Sequence, residues 1–479
     1  MDDALPQESR RRGIRTGQCF RIGAGMARYS NVVVLIPGIL GSALSGPDGT
    51  TLWGTSAAAL FRNVATLGRR LDALMLAGDD PAIDDLGDGI KATSPITDLH
   101  LLPGLWKIDG YTTIRTTLVD RLGLQPGGNY FEFAYDWRRD NRVAARALER
   151  QARTWLADWR EKSGNGSARL VLIAHSMGGL VARHFLEVAG GWQDTAMLVT
   201  FGTPYRGAPN ALKALANGQM LARAADVSAL VRSLTSVYQL LPTYEAFVEA
   251  DFSTARIGNV SGIPNLLADR VAAAQAFHDA IRDAQASNAA NEAYARDFRI
   301  IPFIGTQQPT FNFARASSEG VELMRQHAGQ NHGGDGTVPR VSALPGEMLT
   351  DEGAFFIADR HASLQNSNAA LAHLCARLEG VSIDYGKFRD EVLATLSLEV
   401  DDAYPADEPI ELKASCSAYR QRLQFSIHET ETDAIAAEGW LWNCGGKELS
   451  GDVMLGPGVY RLRVTGEGVS PVTDIFTVF

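Results

Sequence analysis

The amino-acid sequence predicts an α/β protein with a parallel central sheet, followed by a small all-β, sandwich-like domain. Residues 31–36 and 171–174 are continuous apolar runs, and the first of them stops at Pro37-Gly38, which is typical of strands buried on both faces of a sheet. Segments of helical period lie between the predicted strands, and this alternation indicates βαβ units and a parallel sheet. From about residue 397 onward, short alternating strand patterns separated by glycine turns replace the helical ones.

The predicted elements follow one another in a regular order. Strands are expected at 31–36, at 130–135, from 169 to the serine turn at 176, at 197–201 and at 299–304, with a helix that ends near 159. Two segments, 51–110 and 208–297, break the alternation, and we predict that they are helical insertions that form lids at the carboxyl edge of the sheet. In the all-β domain, strands are predicted at 411–414, 423–427 and 460–464.

Length and composition indicate a globular protein of more than one domain. We divide the 479 residues into a poorly ordered N-terminal extension (1–30), an α/β domain (31–395) and a C-terminal β domain (397–479). A formal net charge of -10 argues against nucleic-acid binding, because phosphate neutralisation needs a basic surface. The one basic cluster, Arg10, Arg11, Arg12 and Arg15, is expected to be a frayed, solvated terminus.

Cysteine content and targeting signals point to the cytoplasm. The four cysteines, at positions 19, 375, 416 and 444, are too few and too far apart to predict a disulfide framework. The sequence shows no apolar run long enough to span a bilayer and no signal-peptide pattern at its start. We therefore expect a cytoplasmic location.

A serine flanked by small residues follows the third predicted strand. The run from Val171 to Gly179 contains Ser176, with Ala174 two positions before it and Gly178 two positions after it. Small residues at both positions are needed in a nucleophile elbow, the strained strand-to-helix turn of α/β hydrolases. We predict an α/β-hydrolase fold with Ser176 as its nucleophile; a glycine-rich turn of an ordinary βα unit is the alternative interpretation.

A serine nucleophile needs a histidine to take its proton and a carboxylate to orient that histidine. In this fold the acid and then the histidine follow the serine along the chain. Asp335 lies between two glycines after the strand at 299–304, and His361 follows it at the start of a predicted helix. We predict these two residues as the acid and the base. An ordinary turn aspartate is the alternative for Asp335, and His332 is a weaker candidate base because it precedes the acid.

The reaction intermediate also needs two backbone amides that face its oxyanion. The amide of Met177, next to the serine, is predicted as one of them. The second is expected in the loop after the first strand, at Ile39 or, as the near alternative, at Leu40. A metal site formed by His327, His332 and Asp335 is disfavoured because these residues show no metal-binding helix motif, so we predict no metal and no cofactor.

Five short motifs follow one another along the chain, at 36–42 (IPGILGS), 135–138 (YDWR), 174–178 (AHSMG), 202–209 (GTPYRGAP) and 334–338 (GDGTV). In this order they resemble motifs of the lecithin:cholesterol acyltransferase family, which includes lysosomal phospholipases and phospholipid:diacylglycerol acyltransferases. The resemblance covers about residues 31–380. It implies acyl transfer from a lipid ester, usually a glycerophospholipid, through an acyl-serine to water or to a lipid alcohol. The family's lid disulfide is missing, because no cysteine lies between Cys19 and Cys375.

The sequence therefore predicts a serine-dependent lipid acylhydrolase or acyltransferase of the phospholipase A type. A carboxylesterase or triacylglycerol lipase with the same triad is the alternative within enzymes, and a non-catalytic interaction protein on a hydrolase scaffold is the alternative of another class. We expect a lipid or ester substrate, transient contact with a membrane surface through the lids, and an unknown protein partner for the C-terminal β domain.

Overall fold

A computed structural model describes residues 29–54, 71–97, 100–102, 106–221, 225–348, 353–380, 393–430 and 432–479. The predicted N-terminal extension and its arginine cluster lie outside these ranges, apart from residues 29 and 30. No helix within the described ranges is both long and apolar enough to cross a bilayer. The expected cytoplasmic location stays a prediction.

A six-stranded parallel sheet forms the centre of the α/β domain, as the sequence predicts. Its strands are β1 (Val32–Ile36), β2 (Tyr130–Glu132), β3 (Leu170–His175), β4 (Thr195–Phe201), β5 (Arg299–Gly305) and β6 (Phe355–Ile357). They are arranged in the order β6-β5-β4-β3-β1-β2. All residues of β1 and β3 are buried, which explains why both strands are continuous apolar runs in the sequence.

Helices cover the sheet and fill the second insertion. They are α1 (Thr112–Leu122), α2 (Asn141–Ser163), α3 (Gly178–Glu187), α4 (Pro209–Asn217), α5 (Ser228–Ser233), α6 (Thr235–Tyr238), α7 (Ala268–Ala289), α8 (Glu292–Asp297) and α9 (Asn368–Leu378). The predicted helix before the serine strand is α2. It is capped by the Asp140 carboxylate, which accepts a bond from the Arg142 amide, and it ends at Gly164 in the left-handed region. The helical prediction for 208–297 is confirmed for α4 to α8, and between these helices the segment also contains the short strands Met220–Leu221, Ala225–Asp226, Phe247–Val248 and Thr254–Ala255.

The described residues of the insertion predicted at 51–110 differ from the helical expectation. They form short strands, Thr51–Trp53, Lys91–Pro95, His100–Leu102 and Trp106–Ile108, and among them only residues 71–73 are helical. Between these elements, Asp80, Asp85 and Asp88 each accept a bond from the backbone amide two residues further on. Such aspartate turns compete with helix formation in this part of the chain.

A separate all-β domain follows, as the sequence predicts. Its strands are β7 (Leu396–Glu399), β8 (Ala403–Tyr404), β9 (Ile410–Cys416), β10 (Arg422–Glu429), β11 (Ile435–Gly445), β12 (Glu448–Val453), β13 (Gly458–Gly466) and β14 (Val469–Val478). They form one sheet in the order β7-β9-β12-β11-β10-β13-β14-β8. The sheet curls around its own hydrophobic cluster, because Ala394, just before β7, exchanges backbone bonds with Gly468 and Ser470 beside β14. Cys416 is buried in this cluster, whereas Cys444 is exposed, and both are free thiols.

Candidate active site

Ser176 lies at the sharp turn between β3 and α3. Its φ of +51° is in the left-handed region, which is strained for a residue with a side chain. The turn is held because the Ser176 amide donates to the Phe201 carbonyl at 2.8 Å and the Thr203 hydroxyl donates to the Ser176 carbonyl at 2.9 Å. Close packing explains the small neighbour at position 178, since a Cβ on Gly178 would stand 2.3 Å from the Pro37 carbonyl oxygen.

The three side chains predicted for the triad meet at the carboxyl edge of the sheet. Asp335 lies in a loop after β5, and His361 begins a 3-10 helix (His361–Asn366) after β6. The Ser176 Oγ lies 3.0 Å from His361 Nε2, and His361 Nδ1 lies 2.7 Å from Asp335 Oδ2. All three residues are at most 3% exposed. In this arrangement Nδ1–H donates to the carboxylate, and Nε2 is left to accept the serine proton.

The second carboxylate oxygen of Asp335 fixes its own loop. Oδ1 accepts bonds from the amides of Thr337 at 2.9 Å and Val338 at 2.6 Å, so that only Oδ2 faces the histidine. The backbone amide of His361 in turn donates to the Asp335 carbonyl at 2.9 Å. Gly202, with a φ of +56°, lies close to this pair, because a Cβ there would be 2.8 Å from His361 Nδ1. Glycine at position 202 therefore leaves room for the side chains of Asp335 and His361.

The predicted oxyanion amides lie in turns beside the serine. Within the described part of the chain, the amides of Ile39 and Met177 have no hydrogen-bond partner, and the same holds for Leu40. The choice between Ile39 and Leu40 accordingly stays open. Buried side chains hold this loop from behind, since the Tyr135 hydroxyl donates to the Pro37 carbonyl at 3.0 Å.

Sequence reasoning missed Tyr111, which through His175 connects the predicted oxyanion loop (37–42) with the loop that carries His361. The Gly38 amide donates to the Tyr111 hydroxyl at 2.8 Å, and this hydroxyl lies 2.9 Å from His175 Nδ1. His175 Nε2 lies 3.2 Å from the His361 carbonyl oxygen. Because a carbonyl can only accept, Nε2 carries the proton of His175 and the tyrosine donates to Nδ1. Burial, followed by the nearby charge of His361, lowers the pKa of His175 to about 3, which keeps this ring neutral.

The competing residues lie elsewhere. His332 packs against Phe313 with ring centres 5.5 Å apart, and His327 Nε2 bonds to the Phe252 carbonyl at 2.9 Å. Asp335 is engaged by His361 rather than by these two histidines. Within the described ranges, no group of three or more His, Cys, Asp or Glu side chains is arranged to hold a metal ion.

A parallel sheet with a serine at the turn after β3, and with an acid and a histidine after later strands, defines the α/β-hydrolase class. Residues 104–338 match the family model described as lecithin:cholesterol acyltransferase. Over this segment, which is just under half of the 479 residues, the chain is similar to that family.

Similar proteins include one curated sequence and two solved structures. The uncharacterized protein YJR098C of Saccharomyces cerevisiae is 31% identical over 123 residues, which are 26% of this chain and 16% of the yeast protein. The match thus spans about a sixth of that relative's length. Mature lipase BlEst2 of Bacillus licheniformis is 12% identical, with 74% of this chain and 94% of the lipase covered at a TM-score of 0.31. Phospholipase PlaB of Legionella pneumophila in complex with thio-NAD is 10% identical, with 93% of this chain and 89% of the phospholipase covered at a TM-score of 0.28.

Proposed function

We propose that the protein is a serine-dependent lipid acylhydrolase or acyltransferase of the phospholipase A type. The observation that carries the proposal is the pair of contacts between Ser176 and His361 at 3.0 Å and between His361 and Asp335 at 2.7 Å. These distances satisfy what a base needs in order to take a proton from a nucleophile while a carboxylate orients it. The family match over residues 104–338 supports a lipid ester as the substrate.

The proposed reaction has two halves. Ser176 Oγ attacks the ester carbonyl while its proton passes to His361 Nε2, and Asp335 stabilises the resulting imidazolium. The amides of Ile39 and Met177 bind the tetrahedral oxyanion. The intermediate expels the alcohol, which takes the proton from His361, and the acyl group remains on the serine. Water or a lipid alcohol then attacks this acyl-serine by the same sequence of proton transfers, and the serine is released.

Contact with a membrane surface belongs to the same proposal. In the described part of the second insertion, Met220, Phe252 and Leu267 expose large apolar side chains. Exposed apolar residues on a lipid-hydrolysing protein would favour binding at the interface where the substrate lies. A protein partner of the C-terminal β domain stays a prediction.

The test uses the purified full chain, the variant Ser176→Ala and, as a matched control, Ser167→Ala in an exposed turn. Each is incubated with phospholipid vesicles, triacylglycerol emulsion and short-chain esters, with and without an added lipid alcohol, and the released fatty acid and acylated alcohol are measured by mass spectrometry. We expect wild type and S167A to act on phospholipid and S176A to be inactive. Turnover restricted to short esters or triacylglycerol would instead favour the carboxylesterase or lipase. Equal turnover by wild type and S176A, or none by wild type, would refute catalysis at Ser176.

A further inference from the structure

The loop that carries His361 lies against the C-terminal β domain. Arg360, the residue immediately before the histidine, donates through Nη1 to the Leu398 carbonyl on β7 at 2.8 Å. Its Nε lies 2.8 Å from Oδ2 of Asp474 on β14, as an ion pair rather than a straight hydrogen bond. The Asp474 side chain is completely buried, so the two domains share a buried charge pair one residue from the proposed base.

Asp474 also contacts a second cation of the α/β domain. Lys107 Nζ lies 2.7 Å from Asp474 Oδ1 and 2.7 Å from Oδ1 of Asp402 in the β domain. Two residues after this lysine, the Asp109 amide donates to the Ala362 carbonyl at 3.0 Å, directly behind the histidine. The Asp474 carboxylate therefore contacts Arg360, which precedes His361. It also contacts Lys107, two residues before the amide that bonds to Ala362, which follows His361.

The loop of the acid is braced by the same domain. The Gln308 side chain donates to the Leu396 carbonyl at 2.9 Å and accepts from the Leu398 amide at 3.2 Å, both on β7. Its backbone amide donates to the Gly334 carbonyl at 3.1 Å, next to Asp335. Both loops that supply the partners of the serine thus depend on contacts with the β domain.

We propose that Arg360 and Asp474 are positioning residues for the reaction, through which the β domain holds the backbone of His361 in line with Ser176. The inference rests on the function proposed above. Removing Asp474 leaves the Arg360 charge uncompensated, and this charge is attached to the histidine loop and must move toward water. Removing the Arg360 guanidinium takes away both contacts of this residue with the β domain, to Asp474 and to the Leu398 carbonyl. A displacement of about 1 Å at a reacting group costs on the order of 100-fold in rate. The β domain is then part of the active-site architecture.

The test compares Asp474→Asn and Arg360→Met with the conservative Arg360→Lys. The matched control is Arg325→Met, which removes an exposed ion pair with Glu399 across the same domain interface. We measure kcat and KM on a soluble ester across pH, and the rate at which a fluorophosphonate labels Ser176. We expect Asp474→Asn and Arg360→Met to lose about 10- to 100-fold in kcat with little change in KM. Arg360→Lys is expected to recover part of this loss, and Arg325→Met to match wild type.

The split between kcat and KM separates positioning from a general loss of structure. A histidine loop displaced from Ser176 weakens proton transfer but leaves substrate binding in place, so kcat should fall while KM stays near that of wild type. Circular dichroism identifies the variants that remain folded, and Arg360→Lys decides the case if the other two do not fold. Folded variants with wild-type kcat would overturn the positioning role. If wild-type protein neither reacts with the probe nor turns over any ester, the proposed function itself fails, and the positioning role fails with it.

Discussion

Acidification should destabilise the fold through His175, the buried ring between Tyr111 and the His361 carbonyl. Its pKa of about 3 in the folded protein lies below the ordinary value of 6.5. As the pH falls below 6.5, His175 therefore becomes protonated in the unfolded chain but stays neutral in the folded protein. Stability is lost with falling pH down to about 3. Each pH unit in this window is worth about 1.4 kcal/mol, so a change from about pH 7.5 to about pH 4.5 should cost about 3 kcal/mol from this residue alone.

Two variants isolate this contribution. His175→Asn keeps an acceptor near the position of Nδ1, and His175→Gln keeps a donor near the position of Nε2, but neither side chain titrates. Urea unfolding followed by tryptophan fluorescence is measured for wild type and both variants at about pH 7.5 and about pH 4.5. Other titrating groups are common to all three proteins, so each variant should lose about 3 kcal/mol less than wild type over this interval. Equal losses in wild type and variants would refute the neutral, buried state of His175.

Three further perturbations follow from the packing and charge around the elbow. Gly178→Ala places a Cβ against a backbone carbonyl of the oxyanion loop and should lower stability by about 1–3 kcal/mol in urea titrations, whereas Gly258→Ala, with open space around its Cβ, should not. Arg183→Met leaves the fully buried Glu187 without its cation and should lower the free energy of unfolding by about 3–5 kcal/mol. Adding Glu187→Gln removes the unpaired charge and should restore part of the thermal midpoint; a double variant as unstable as the single one would contradict this. Tyr111→Phe removes the acceptor of the buried Gly38 amide and should lower the free energy of unfolding by about 1–3 kcal/mol. A wild-type denaturation midpoint would argue against that bond.

Local patterns in the sequence predict the elements whose burial is uniform or periodic. The strands β1 and β3 are continuous buried runs, and the helix α2 buries one face at helical period, so each pattern lies within one short window. The predicted site residues Ser176, Asp335 and His361 could be selected because the fold orders them along the chain. Their catalytic roles remain proposals.

What the sequence did not reveal depends on contacts between distant segments. Tyr111 is 73 residues from Gly38 and 64 residues from His175, and no local pattern signals these bonds. The ion pair of Arg360 with Asp474 joins two domains and gives no periodic signal. In the described part of the insertion at 51–110, the helical expectation fails where Asp80, Asp85 and Asp88 bond to the backbone two residues further on.

The partnership of Arg360 and Asp474 has a consequence for biosynthesis. A ribosome makes Ser176, Asp335 and His361 well before it makes β14, so a nascent α/β domain lacks the carboxylate that holds its histidine loop. If the positioning role holds, the order of translation delays the reactive state. An enzyme that attacks lipid esters would then acquire full activity only after the β domain has emerged and docked.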